Sequence, residues 1–175
     1  MIDDGPVEDL PREAAAQPEA APLELERFLP YRLNVVSSLT SQALSSIYAQ
    51  RYRIGVPEWR VLVTLGQYGV MTGKAIGVHS HMHKTKVSRA VALLERRKLI
   101  ARRTNRADMR EAFLSLTPAG RAIYQELAPI ALEFVARLAE DIGPADRATF
   151  ERVLTVLIDR AAVLASERTT ARPIG

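Results

Sequence analysis

Residues 84–100 read KTKVSRAVALLERRKLI. Val87, Val91 and Leu94 fall at i, i+4 and i+7, which is one side of a helix. The spacing predicts a helix over 84–98 with that side inward. Thr85, Arg89, Ala92 and Arg96 stand opposite, flanked by Lys86 and Ser88. The free face is therefore basic and carries hydroxyls, a surface suited to a polyanion.

The flanking sequence frames this helix. Just before it, VHSHMH (78–83) places all three histidines of the chain, His79, His81 and His83, at alternate positions. Just after it, residues 99–117 change character. Two short runs surround Thr104-Asn105-Arg106-Ala107-Asp108, and Ala112, Leu114 and Leu116 alternate, so this segment reads as a β-hairpin with a charged tip. Upstream, the pattern turns helical from about residue 24. Leu29, Leu33, Val36, Leu39, Ala43 and Ile47 form one stripe that stops near Gly55. Pro57 suits the first turn of a second helix carrying Trp59, Leu62 and Leu65, and Thr72 can cap a short third one holding Ala75 and Ile76. Downstream, Pro118 opens a helix striped by Ile123, Leu127, Ile130, Phe134 and Leu138, with Pro129 inside it as a candidate kink. After Gly143-Pro144, a last helix carries Phe150, Val153, Leu154, Leu157, Ile158, Ala161 and Leu164.

The order is helix, helix, short helix, basic helix, hairpin, helix, helix. The fold class is mainly α with a small β wing: a winged helix-turn-helix domain with N- and C-terminal dimerisation helices. The organisation reads as a disordered acidic and proline-rich arm at 1–22, a first helix for dimerisation and ligand at 23–55, the winged DNA-binding region at 56–117, dimerisation helices at 118–168 and a tail at 169–175.

Charge is unevenly spread. Residues 1–26 hold eight acids and one base, so −7, which leaves +11 for the rest of a chain with net charge +4. Residues 84–110 hold ten Lys or Arg against Glu95 and Asp108, giving +8. Such a block points to a polyanion partner. The absence of cysteine removes disulfides, thiolate ligands and a cysteine nucleophile together. No apolar run approaches the ~18 residues of a membrane span, and the acidic start is unlike a secretory signal, so a cytoplasmic protein away from membranes is expected. There is no glycine-rich phosphate loop, no nucleophile elbow and no metal-ligand pair beside an acid, so neither an enzyme nor a cofactor is expected.

At KTKVSRAVALLERRKLI (84–100) and DMREAFLSLTPAGR (108–121) the chain resembles the MarR family of bacterial transcription regulators, over roughly residues 28–166. The resemblance makes the first segment the recognition helix and the start of the wing. It makes Asp108 and Arg110 the Asp-x-Arg of the wing tip, and Leu116, Thr117 and Gly120 the Leu-Thr-x-x-Gly that opens the next helix. The chain departs from the family pattern at Gly77, where alanine is usual, at Ser80, where an apolar residue is common, and at His81, where a small residue such as glycine is common. LPYRLNVVSSL (29–39) and VPEWRVL (56–62) look, more weakly, like a subset that answers to aromatic acids or their coenzyme A thioesters.

The resemblance implies a homodimer on double-stranded DNA. Two recognition helices one duplex turn apart fit a pseudo-palindromic site. Lys84, Thr85, Lys86, Ser88 and Arg89 are the candidates on that helix, with Arg89 able to fork onto guanine. Arg110 would enter the minor groove with Asp108 holding its guanidinium. Arg102, Arg103 and Arg106 would touch the backbone. A small-molecule effector, an aromatic acid or aromatic acyl-CoA, would meet Tyr31, Arg32, Asn34, Ser38, Trp59 and Arg60. The expected function is a repressor released from its operator by that effector. Two other readings stay open: a metal-responsive regulator using His79, His81 and His83, and an architectural protein binding DNA without sequence preference. The histidines, with no acid close in sequence, are read as capping the recognition helix and touching phosphate, more strongly when protonated.

Overall fold

The computed structural model describes residues 22–104 and 111–170. Most of the acidic arm, the wing tip with Arg106, Asp108 and Arg110, and the last five residues lie outside them. The elements in chain order are α1 (Leu29–Tyr52), α2 (Val56–Tyr68), β1 (Met71–Thr72), α3 (Gly73–Ser80), α4 (Lys84–Arg96), β2 (Ile100–Thr104), β3 (Ala112–Leu116), α5 (Pro118–Leu138) and α6 (Pro144–Thr170). The chain divides after Thr40 into two units.

The described part of the first unit is a turn followed by the opening turns of α1. The helix starts at Leu29, later than the apolar pattern suggests. Arg27 N bonds Glu24 O and Phe28 N bonds Leu25 O, which closes a turn, and Pro30 then suits the first helical turn. Leu33, Val36 and Leu39 on this stretch are exposed.

The second unit holds the core. Leu62 and Leu65 of α2, Ile76 of α3, Leu94 of α4 and Leu114 of β3 are buried together. Glu58 Oε2 accepts Gly55 N at 2.8 Å and starts α2, with Pro57 in its first turn. Trp59 is buried and stacks on Tyr48, with ring centroids 5.4 Å apart. Burial of the Tyr48 ring raises its hydroxyl above the usual phenol range. The C-terminus of α1 is tied down twice. The Arg97 guanidinium donates to Tyr52 O at 2.7 Å and Arg53 O at 3.1 Å, while Arg51 and the Tyr52 hydroxyl both donate to Glu126 of α5.

Thr72 Oγ1 accepts Ala75 N at 3.2 Å, the cap expected for α3. The end of α3 departs from the usual pattern in an informative way. His81 sits in the left-handed region (φ 50°), with Met82 N bonded to Gly77 O and His81 N to Val78 O. This is a Schellman stop with histidine where glycine is easiest. It also explains Gly77: a Cβ there would stand 3.2 Å from Met82 O, so alanine would crowd the returning turn. α4 ends the same way at Lys98 (φ 57°), with Leu99 N bonded to Leu94 O.

The hairpin is present, with Ile100 opposite Leu116 and Thr104 opposite Ala112. β1 adds a third strand by pairing Met71 with Leu114, giving the order β1-β3-β2. α5 continues through Pro129, so the proline does not end the helix. Among the described residues no side chain of α6 is buried. No helix among them is long and apolar enough to cross a membrane.

Candidate nucleic-acid interface

α4 is the centre of the candidate interface. Val87, Ala90, Val91 and Leu94 are buried, while Lys84, Thr85, Lys86, Ser88 and Arg89 are all exposed. The structure thus brings these five candidates onto one free face. At 13 residues the helix is about 20 Å long, a fit for the major groove. Its first turn has no acid, and His83 at the N-cap makes no side-chain capping bond. Lysines at a helix start oppose the helix dipole and destabilise the isolated helix. Phosphates along this end would offset that repulsion.

The wing strand is strapped to this helix. Arg102 Nε donates to Glu95 Oε1 at 2.7 Å and Nη2 to Oε2 at 2.9 Å, a two-pronged pair between β2 and α4. The sequence reading had Arg102 on the DNA backbone; here its guanidinium is held by a carboxylate. That pairing also depresses the Glu95 carboxyl below the usual carboxylate range. A depressed carboxylate adds stability above its unfolded pKa and loses it as pH falls through the folded value. The pair is half in solvent, so it is worth up to about 1 kcal/mol. The stability gap between the parent and Glu95→Gln should therefore be flat from pH 8 to about 5 and close below about pH 4, read by urea unfolding. A gap that persists in acid would mean the strap is not ionic.

Two hollows flank the start of α4. On the wing side a groove of about 880 Å3 is walled by Lys74 and Val78 of α3, Lys84 and Ser88 of α4, Arg102 and Glu111. Lys74 was not singled out by sequence; its place two residues after the Thr72 cap was the available signal. On the α2 side a smaller hollow of about 330 Å3 is walled by Arg60, His81, His83 and Lys86, with Pro57 and Met82.

The histidines do not act as a set. The His79 ring lies against Tyr68 at 4.4 Å, while His81 and His83 face the smaller hollow. Among the described residues no three His, Asp or Glu side chains are placed to hold a metal. Of the effector candidates, Tyr31, Arg32, Asn34 and Ser38 are exposed on the first unit's part of α1. In the second unit, Trp59 is core and Arg60 faces the smaller hollow. Arg106, Asp108 and Arg110 fall outside the described residues.

A three-helix core, a helix-turn-helix formed by α3 and α4, and a β2–β3 wing define a winged-helix protein. Comparison with known proteins agrees. Residues 54–112 match the model of the MarR family. A MarR family transcriptional regulator from Silicibacter pomeroyi is similar at 29% identity and TM-score 0.69, over 82% of this chain and 96% of that one. A MarR/EmrR family transcriptional regulator from Acinetobacter shares the fold at TM-score 0.74 and 24% identity, over 80% of this chain and 99% of that one. So does Bordetella bronchiseptica BpsR, whose DNA binding is described as regulated by 6-hydroxynicotinic acid, at TM-score 0.61 and 22% identity over 72% and 98% of the two chains. None of the curated proteins matches the sequence.

Proposed function

We propose that this chain is a DNA-binding transcription regulator. It acts as a homodimer on a pseudo-palindromic operator, as a repressor released by an aromatic acid or its coenzyme A thioester. The carrying observation is α4, whose apolar side is buried while Lys84, Thr85, Lys86, Ser88 and Arg89 remain free. Phosphate contacts by lysine and arginine supply salt-dependent affinity, and Arg89 has the fork that reads guanine. The reading assigns Arg110 to the minor groove and Arg106 to the backbone, as the resemblance at DMREAFLSLTPAGR implies; both lie outside the described residues.

The effector class rests on residue chemistry. On the first unit's part of α1, Tyr31 offers a ring, Arg32 suits a carboxylate or phosphate, and Asn34 and Ser38 add polar anchors, all of them exposed. The likeness to BpsR concerns the fold alone. Release has a strict requirement: the effector must favour the non-binding arrangement by about 5.5 kcal/mol to empty a nearly full operator.

One experiment covers the reading. DNA is selected from a random library, and benzoate- and hydroxycinnamate-type acids, free and as thioesters, are titrated into the selected complex. The expected product is an inverted repeat with half-sites about one duplex turn apart. Arg110→Ala should weaken it by roughly 1–3 kcal/mol. Selection yielding no consensus would leave only non-specific binding. Failure of every acid and thioester at millimolar levels would remove the effector class.

A further inference from the structure

The C-terminal end of α1 meets two other helices through one residue. The Tyr52 carbonyl accepts from the Arg97 guanidinium at the C-cap of α4, and the Tyr52 hydroxyl donates to the Glu126 carboxylate of α5. Arg53 follows in the left-handed region (φ 49°), with its amide bonded to Ala49 O, so the helix stops here without a glycine. A helix end leaves carbonyls without intrahelical partners. The Arg97 fork covers Tyr52 O and Arg53 O, and it sets a positive charge at the negative end of the helix dipole.

Apolar packing holds this end of α1 at few points. Tyr48, stacked on Trp59, is the one buried residue of the helix. α4 by contrast is fixed in the winged core by Val87, Ala90, Val91 and Leu94. The start of α5 is fixed to it by the Thr117 hydroxyl bonds to Lys98 O and Leu99 O. The freedom left is that of α1 against the other two, and Tyr52 is where it is taken up. The Arg51–Glu126 pair beside it is largely in solvent, where such pairs contribute little. We infer that Arg97, Tyr52 and Glu126 are positioning residues: their junction sets the angle between α1 and α4, and through it the half-site spacing that the dimer accepts. The spacing rests on the proposed function, in which α1 is a dimerisation helix and α4 reads DNA; the hold on α1 does not.

The two links can be cut separately. Arg97→Met keeps the stem and removes the fork, and Tyr52→Phe keeps the ring and removes the hydroxyl. The full chain and both variants are bound to operators whose half-sites are moved by one and two base pairs from the selected spacing, read by fluorescence anisotropy. Each base pair turns one half-site by about 35° against the other. The parent should lose about 100-fold over two base pairs, the scale of a broken two-site linkage. Both variants should lose about tenfold or less, because a looser head reaches more spacings, and should bind a lone half-site as the parent does. A merely structural role would weaken every spacing alike; that result overturns the inference, and so does a parent-like spacing profile in both variants. A second arm needs no DNA. The chain has no cysteine, so spin labels at Gln42→Cys on α1 and Ala92→Cys on α4, both exposed, report one distance when labelled chains are diluted with unlabelled copies. The parent should give one narrow distribution, and each variant a broader or shifted one. If the parent shows no spacing preference, the DNA reading is wrong, and broadened variants still support the hold on α1. Variants as narrow as the parent overturn it.

Discussion

Replacing Gly120 by alanine is expected to cost about 3 kcal/mol or more of folding stability, above the usual penalty for one extra methyl in a core. Gly120 lies in the first turn of α5, where the helix passes directly over the end of the recognition-helix segment. A Cβ there would stand 1.9 Å from Leu99 O and 2.9 Å from Leu99 C, both backbone atoms that cannot swing aside. α5 would have to lift. Lifting it breaks the Thr117 N bond to Leu99 O at 3.0 Å and the Thr117 hydroxyl bond to Lys98 O at 2.8 Å. The same hydroxyl caps α5 by accepting Gly120 N at 3.1 Å, and losing such a cap costs ~1 kcal/mol. The movement also opens the core over Leu116 and Leu127, both buried. Urea unfolding at one fixed protomer concentration measures the loss. Gly143→Ala is the control. Its Cβ would meet only Asp146 Oδ2 at 4.0 Å, and as the residue before α6 it should lose no more than about 1 kcal/mol, the scale of a weakened N-cap. Equal stabilities for the two variants would mean that α5 does not rest on Leu99.

Gly120 shows what a sequence can and cannot reveal. That a glycine stands three residues after a capping threonine was visible; that it lies against a carbonyl 21 residues upstream was not. The inward side of α4 was legible because Val87, Val91 and Leu94 follow a local period. The Thr72 cap and the β2–β3 hairpin were legible for the same reason, since their signals lie within a few residues. β1 was not. Met71–Thr72 is a strand only because Leu114 and Phe113 pair with it, and two residues carry no periodicity. The Glu95–Arg102 strap also needed tertiary information, because it depends on which side of β2 meets α4. The histidines look like one motif in sequence. They divide because Met82 goes to the core and Tyr68 offers its ring to His79. Trp59 was a plausible effector contact from composition, and only the Tyr48 stack places it in the core.

The change with the largest expected effect on DNA binding lies outside the residues proposed to read DNA. α6 has 27 residues and is about 40 Å long. Phe150, Val153, Ile158 and Leu164 along it are exposed, as are Leu132, Val135 and Leu138 on α5. A helix gains most of its stability by burying an apolar face, so a bare stripe of this length calls for a covering surface. In the proposed dimer a second copy covers it about a two-fold axis, and each substitution then counts twice. Burying one leucine or isoleucine contributes about 1.5–3 kcal/mol. The pair Val153→Glu and Ile158→Glu should therefore convert the dimer to monomer at micromolar concentration in sedimentation. Both residues are exposed in the protomer, so the winged core around Leu62 and Leu94 should keep its unfolding profile. A lone recognition helix forfeits the linkage of two half-sites, which is worth 10²–10⁴ in affinity, so operator binding should fall by about 100-fold or more. The order of events distinguishes this from simple unfolding: the variant should remain helical by circular dichroism and bind a single half-site as weakly as the parent does. If it sediments as a dimer and holds the full operator undiminished, the apolar stripe of α6 is not the dimer surface.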